Sequence, residues 1–292
     1  MKIINFYKYR ISAFIFSFFL ILFSIILFIK DNLNLGIDFK GGFLIEVNFP
    51  NPPNLSDLRE KLTSISVGNL EIQEFGSPEN ILIRIEKNSE KKDEQNALIN
   101  NIKNELPSEI DYRRIEFVGP KVGKELQIMG IKAVLFSLIA MFSYIWFRFS
   151  GWQFGLGALV ALFHDVLSTI GFFSLTQIEF NLASIAAILT IAGYSINDTV
   201  VVFDRIRENL SKKDSPFSEL LNLSINQTLS RTLMTSLTTL LALLALYIFG
   251  GEVVRGFVSA MMWGVLIGTY SSIFIASPLI ALLGFKIIKQ DQ

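Results

Sequence analysis

Residues 182–203 read LASIAAILTIAGYSINDTVVVF. In a helix rising about 1.5 Å per residue, this run covers the roughly 30 Å hydrocarbon core of a bilayer. One carboxylate, Asp198, interrupts it, flanked by Asn197 and Thr199. An Asp well inside a lipid-crossing helix costs about 2.5–3.5 kcal/mol on insertion scales, so a chain that keeps one has a use for it. The stretch therefore predicts both a membrane protein and the place where its chemistry sits.

Five further runs of the same kind flank it: Ile11–Ile29, Met129–Phe147, Gln153–Thr176, Thr232–Phe249 and Phe257–Phe285, the last with Pro278 as a point to bend. Of the 292 residues, 51% are hydrophobic and 18% charged, too blocky a distribution for an ordinary soluble enzyme. The first run lies behind Lys2, Lys8 and Arg10 and ends in Lys30-Asp31-Asn32 without a small-residue cleavage site, so it reads as a retained anchor. Lys and Arg fix the orientation. With a cytoplasmic N-terminus the inside segments hold Lys2, Lys8, Arg10, Arg148, Arg205, Arg207, Lys212, Lys213, Arg231, Lys286 and Lys289, whereas the short outside loops hold only Arg255.

The long hydrophilic region then falls outside the cytoplasm and patterns as a folded domain. Phe43, Ile45, Val47 and Phe49 alternate with Leu44, Glu46 and Asn48, as in a strand with one buried face. Leu55, Leu58 and Leu62 follow Asn54 at helical spacing. A strand at Leu70–Phe75, a turn over 76–80, a strand with Ile81, Ile83 and Ile85 on one face, a helix with Leu98, Ile102 and Leu106 stopped by Pro107, and a strand marked by Ile115 and Phe117 complete the order β-α-β-β-α-β, a ferredoxin-like split βαβ unit. The polar stretch Lys87–Glu94 reads as a solvated loop. The expected organisation is a cytoplasmic N-terminus (1–10), a first span (11–29), an extracytoplasmic domain (30–124) and spans two to six (125–292) with a cytoplasmic loop at 204–231. The fold class is an all-α membrane bundle of six transmembrane helices with one α+β ferredoxin-like extracytoplasmic domain.

Charge and composition exclude several functions. Lys plus Arg (26) balance Asp plus Glu (26), which argues against nucleic acid as a partner. Zero cysteines remove disulfides, thiol catalysis and zinc-thiolate sites. No phosphate loop, metal-binding His pair or dinucleotide fingerprint is present, so neither an enzyme nor a bound metal or cofactor is expected. Gly193-Tyr194-Ser195 superficially resembles an intramembrane serine-protease motif with His164 as base, but nothing marks an oxyanion hole.

What remains is electrostatic. Asp198 lies about 7 or 8 Å from the end of its span, and Arg231 opens the antiparallel next span at a similar depth. Ionised, Asp198 can pair with the guanidinium; protonated, it releases it, and a proton entering from one side and leaving to the other biases a two-state packing. The membrane supplies roughly 2.3 kcal/mol per charge per 100 mV, enough to drive such a switch. His164, the only histidine, and Asp165 lie near the middle of span three as candidates for a proton route, although adjacent helical residues diverge by about 100°. A static polar contact at Asp198, a snorkelling anchor at Arg231 and a simply packed His164 are the alternatives. Gly193, Ser236, Gly264 and Gly268 suit close helix packing.

Several strings occur together: GIDFKGG (36–42), VGPKVGKEL (118–126), HDV (164–166), SINDTVVVFDRIREN (195–209), and SRTLMTS (230–236) followed by FGGEVVRGF. In order and spacing they resemble the SecF branch of the SecD/SecF protein-export family over nearly the whole chain, with Phe43 where that family often has Thr. The resemblance implies a six-span subunit of the resistance-nodulation-division superfamily in the bacterial cytoplasmic (inner) membrane. It implies work with SecD, YajC and the SecYEG channel, in contact with membrane lipid and preproteins, using the proton-motive force to assist translocation. It also implies that Asp198 and Arg231 take part in proton transport, with Asn197 and Thr199 beside them. A proton-driven exporter of small molecules or lipids from the same superfamily is the alternative, and a purely structural scaffold a third. Gly41 and Gly42 at one end of the external domain, with Gly119, Pro120 and Gly123 at the other, are expected hinges on which that domain tilts.

Overall fold

The computed structural model describes residues 4–65, 69–86, 92–107, 109–149, 151–212 and 215–283. A 3₁₀ turn, Phe6–Tyr9, leads into α1 (Arg10–Asp31). After it come α2 (Ile37–Lys40), β1 (Gly42–Asn48), α3 (Leu55–Ile65), β2 (Asn69–Phe75), β3 (Ser77–Glu86), α4 (Lys92–Glu105) and β4 (Asp111–Val118). The chain continues with α5 (Pro120–Phe149), α6 (Trp152–Thr176), α7 (Leu182–Lys212), α8 (Phe217–Phe249), α9 (Glu252–Ser271), a π turn over Ser272–Ala276 and α10 (Ser277–Leu282). Six helical stretches are long and apolar enough to cross a membrane. The chain divides into a helical unit (Met1–Asn34, Lys132–Ile178, Ala183–Gln292) and a sheet unit (Leu35–Ile131 with Glu179–Leu182).

The sheet unit has the order β2-β3-β1-β4, antiparallel throughout, which is the split βαβ arrangement. On one face Phe43, Ile45, Val47, Ile81, Ile83 and Ile85 pack against Leu58 and Leu62 of α3 and Leu98 and Ile102 of α4. Asn54 caps α3 through its side-chain oxygen, which accepts the Ser56 amide at 3.0 Å. The second face departs from the one-sided strand that alternation predicts. Leu44 and Glu46 are buried there as well, and Leu44 joins Ile37 and Leu82 in a second small cluster. Ile37 of α2, just ahead of β1, packs on this face, and Glu179, distant in sequence, pairs with Arg84 of β3 opposite Leu44, so β1 alone could not reveal them. The predicted turn over 76–80 shrinks to Gly76, whose φ of +82° lets the chain reverse at one residue, with Phe75 already paired to Ser77. Residues 87–91 of the expected Lys87–Glu94 loop lie outside the described residues, and the remainder opens α4.

The five glycine and proline positions expected to be hinges lie within the sheet unit. Gly41 and Gly42 turn the chain at φ +77° and +115°. Pro120 starts α5, where its missing N–H has no helical partner to lose. Gly119 is open, whereas a Cβ on Gly123 would come within 2.9 Å of the Phe39 carbonyl oxygen. Gln127 also donates to that oxygen at 2.8 Å. Gly41, Phe39, Pro120 and Gly123 thus form a packed seam.

In the helical unit α1 packs on α6, and α9 lies against both α6 and α8. Phe149, Phe154 and Phe203 interlock with ring centroids 5.2–5.8 Å apart. Gly264 of α9 faces Ile191 of α7 at a separation that would not admit a side chain, and Gly268 faces Ser195 closely, at 3.0 Å for an added Cβ, whereas Gly193 meets nothing within 4 Å. The helices outrun the apolar windows, because polar residues can extend a helix beyond lipid: α5 begins at Pro120 and α8 at Phe217. Ahead of Pro278, where a point to bend was expected, the helix holds a π turn over Ser272–Ala276, and Ser277 Oγ donates to the Ser272 carbonyl at 2.7 Å.

Candidate proton site

Helices α6, α7, α8 and α9 bring a band of polar side chains together inside the helical unit. Asp165 of α6 is fully buried, with 0% exposure. Its Oδ2 accepts hydrogen bonds from Ser195 Oγ of α7 at 2.6 Å and from Ser271 Oγ of α9 at 2.8 Å. Its Oδ1 lies 3.0 Å from His164 Nδ1. The expected divergence of His164 and Asp165 around the helix is therefore bridged at their side-chain tips, since the imidazole is long enough to swing back. His164 Nε2 has no partner among the described residues, and the tilted ring of Tyr270 lies 6.0 Å from the imidazole. Ser195 directs its hydroxyl to Asp165 rather than to His164, which is not the arrangement of a serine nucleophile and its base.

Asp198 of α7 is just as deeply placed, at 2% exposure, and far less satisfied. Its Oδ2 has no hydrogen-bond partner. The Thr269 hydroxyl and the charge of Arg231 are the polar groups acting on it, and no ion pair joins Asp198 to Arg231 among the described residues. Arg231 of α8 is exposed, as is Asn197, while Thr199 is buried and shares a 2.9 Å hydrogen bond with Ser272. The pairing that the similar depths of the two charges suggested is thus not made in this state.

The hydroxyls around Asp198 have competing acceptors. Thr269 Oγ1 can donate to the Val265 carbonyl at 2.8 Å, Ser236 Oγ to the Thr232 carbonyl at 2.9 Å, and the two hydroxyls lie 2.7 Å apart. Each carries a single proton, so two protons cannot serve both carbonyls, the mutual contact and Asp198 together. More than one proton arrangement is available, as a site that gains and loses a proton needs. Thr232 Oγ1 is a further buried oxygen without a partner. Ser236 and Gly268 were legible as packing residues and Ser195 as part of a protease-like motif; Thr269, Ser271 and Ser272 were not singled out. Their signal is the run TYSS at 269–272, an unusually polar interruption of an apolar span. Among the described residues no cluster of His, Asp or Glu could hold a metal ion.

A multispanning membrane protein with a split βαβ domain and a buried, under-satisfied carboxylate is the class these features define. The family model described as protein export membrane protein SecD/SecF, C-terminal, matches residues 98–286. The chain is 45% identical over 285 residues to the protein translocase subunit SecF of Rickettsia bellii, covering 97% of this chain and 94% of that one. It is 46% identical to the subunit of the same description from Rickettsia felis, covering 95% and 91%. SecDF of Thermus thermophilus, a translocon-associated membrane protein, superposes with a TM-score of 0.85 at 36% identity over 96% of this chain, and a super-membrane-facing form of SecDF with 0.69 at 35% over 97%. This chain spans 38% and 39% of those two SecDF chains. The chain belongs to the SecD/SecF protein-export family.

Proposed function

We propose that this chain is the SecF-type subunit of a protein translocase accessory complex, in which a proton loaded onto and released from Asp198 drives the helical unit between two packings. One observation carries the reading: Asp198 is buried with an oxygen that no donor reaches, while every other acid-bearing contact in the band is filled. An ionised carboxylate so placed is costly, a protonated one much less so, and the difference is what a transmembrane gradient can act on. Arg231 supplies the countercharge in the alternate packing, and Asn197 and Thr199 flank the acid on α7. His164 and Asp165 lie on the route by which the proton reaches the band. The protein acts as a transport subunit rather than as an enzyme.

The partners follow from family and surface. SecD occupies the face of α7 and α8 that exposes Ala186, Thr190, Gly193, Asn197 and Arg231, residues unsuited to lipid and suited to another helix. Exposed residues on α1 and α5, such as Phe18, Phe19, Ile131 and Phe136, are instead those that lipid favours. SecYEG, YajC and the preprotein complete the assembly in the cytoplasmic membrane, with the N-terminus inside and residues 30–124 outside, in keeping with the distribution of Lys and Arg. The small-molecule exporter is disfavoured by full-length relatives described as translocase subunits. In membrane vesicles holding the chain and SecD, Asp198→Asn and Arg231→Gln are expected to insert normally and to abolish the stimulation of preprotein export by an imposed proton gradient. Wild-type stimulation in the Asp198→Asn vesicles would reject the reading.

A further inference from the structure

The GIDFKGG string has no part in the proton chemistry, yet nearly all of it is spent on one task. Gly36 donates its amide to the Phe180 carbonyl at 2.9 Å, and Leu35 and Phe180 form a parallel β-bridge. A Cβ on Gly36 would collide with the Glu179 carboxyl group, so only glycine leaves room for that side chain. Asp38 Oδ2 accepts the backbone amide of Leu182 at 2.9 Å. Leu182 is the first residue of α7, so Asp38 caps that helix from a distant part of the chain and sets a negative charge at its positive end. Phe39 packs its ring on Phe180 at 5.8 Å. From β3, Arg84, only 6% exposed, donates to Glu179 through Nη2 and reaches Glu71 at 3.4 Å through Nη1. Lys40 pairs with Glu86 at 3.0 Å across the same sheet face.

All of these contacts lie within the sheet unit, to which residues 179–182 belong, and the chain leaves that unit at Ala183, one residue into α7. We infer that residues 36–39 and Arg84 form a clasp on residues 179–182 that holds the first residue of α7, the helix that carries Asp198. Asp38, Arg84 and Glu179 are positioning residues: they act on export through the start of α7, which they hold. A capping bond, a β-bridge, a ring contact and a buried ion pair on four consecutive residues hold the grip at both backbone and side-chain level. α7 is thereby tied at its first turn, about 24 Å of helix from Asp198 at about 1.5 Å per residue. A rigid helix transmits displacement over that length.

The inference rests on the proposed proton role of Asp198 for the source of the motion, not for the existence of the clasp. The test uses vesicles carrying the full chain with SecD, and reads proton uptake and gradient-driven preprotein export separately. Asp38→Ala combined with Arg84→Leu should keep proton uptake and lose gradient-driven export, an uncoupling. The chain has no cysteine of its own, so Leu35→Cys with Phe180→Cys introduces the only thiols and can close the clasp covalently. Oxidation of that pair should restore export to the opened-clasp variant, which a variant that had merely misfolded could not show. Wild-type export from the opened-clasp variant, or a formed cross-link that restores nothing, would overturn the clasp. Asp198→Asn in the same vesicles reports on the other reading alone: if it keeps export while the opened clasp loses it, the proton site fails and the clasp stands.

Discussion

Asp165 and Asp198 lie on adjacent helices in one polar band, both shut away from solvent, and they are built in opposite ways. Asp165 has a donor on each oxygen and two on Oδ2; Asp198 has an oxygen facing no donor at all. A saturated buried carboxylate is held in place by its neighbours, since moving it would weaken three contacts together. An unsaturated one has acceptor capacity left over for a proton or a new donor. Burial alone therefore does not single out a working acid; unmet hydrogen-bonding capacity does.

The largest effect that would sharpen this contrast is on stability at the saturated site. Asp165→Ala strands the Ser195 and Ser271 hydroxyls and the His164 imidazole in the bundle interior, at about 1–3 kcal/mol for each unsatisfied group. A large fall in the thermal unfolding midpoint of the detergent-solubilised protein is expected. Asp198→Asn, by contrast, should change stability by no more than about 1 kcal/mol, because its Oδ2 has no bond to lose, while it removes gradient-driven export. If the two substitutions were equally destabilising, the contrast would be broken.

A smaller effect tests whether the two serines act together. Ser195→Ala and Ser271→Ala each remove one donor to the same oxygen and should each cost about 1 kcal/mol. The double variant should depart from the sum of the two, as neighbours in one network do, and a double-mutant cycle on thermal unfolding measures the departure. Strict additivity would mean that Asp165 is not the hub that its three contacts make it.

How far these features could be read from sequence depends on whether their causes are local. The split βαβ order, the Asn54 cap and the six apolar helices follow from periodicity and capping chemistry that neighbouring residues carry themselves. The second buried face of β1 was not legible, because Leu44 packs with Ile37 and Leu82 from outside the strand and the facing Arg84 is met by Glu179, more than a hundred residues from β1, and no alternation within β1 encodes that. Glycines were ambiguous for a physical reason: a missing Cβ serves bending and close approach equally. Gly123 reads as a pivot in VGPKVGKEL and lies against the Phe39 carbonyl in the fold. Asp198 stood out by its cost in lipid, whereas its difference from Asp165 lies in hydroxyls contributed by α9, whose spacing carries no mark of which acid they face.

A half-buried carboxylate provides the finest test, because it lies outside the spans and combines features of both aspartates. Glu179 is paired with Arg84, yet burial pushes its pKa above the ordinary glutamate value; the Arg84 charge and hydrogen bond oppose that shift, Asp38 adds to it, and Arg114 weakly opposes it. A raised pKa means that the closed clasp binds the proton more tightly than the opened one. By linkage, the protonated form favours the closed state, and closure loses stability as pH rises from the ordinary glutamate value through the raised one. Amide exchange at Gly36 and Leu182, whose N–H groups are bonded inside the clasp, reads this directly. Relative to Glu179→Gln, which keeps an acceptor for Arg84 and cannot ionise, wild-type protection of these two amides should decline across that window and run parallel above it. Protection that instead rose with pH would mean that the Arg84 pairing outweighs desolvation, placing Glu179 with Asp165 among the saturated acids.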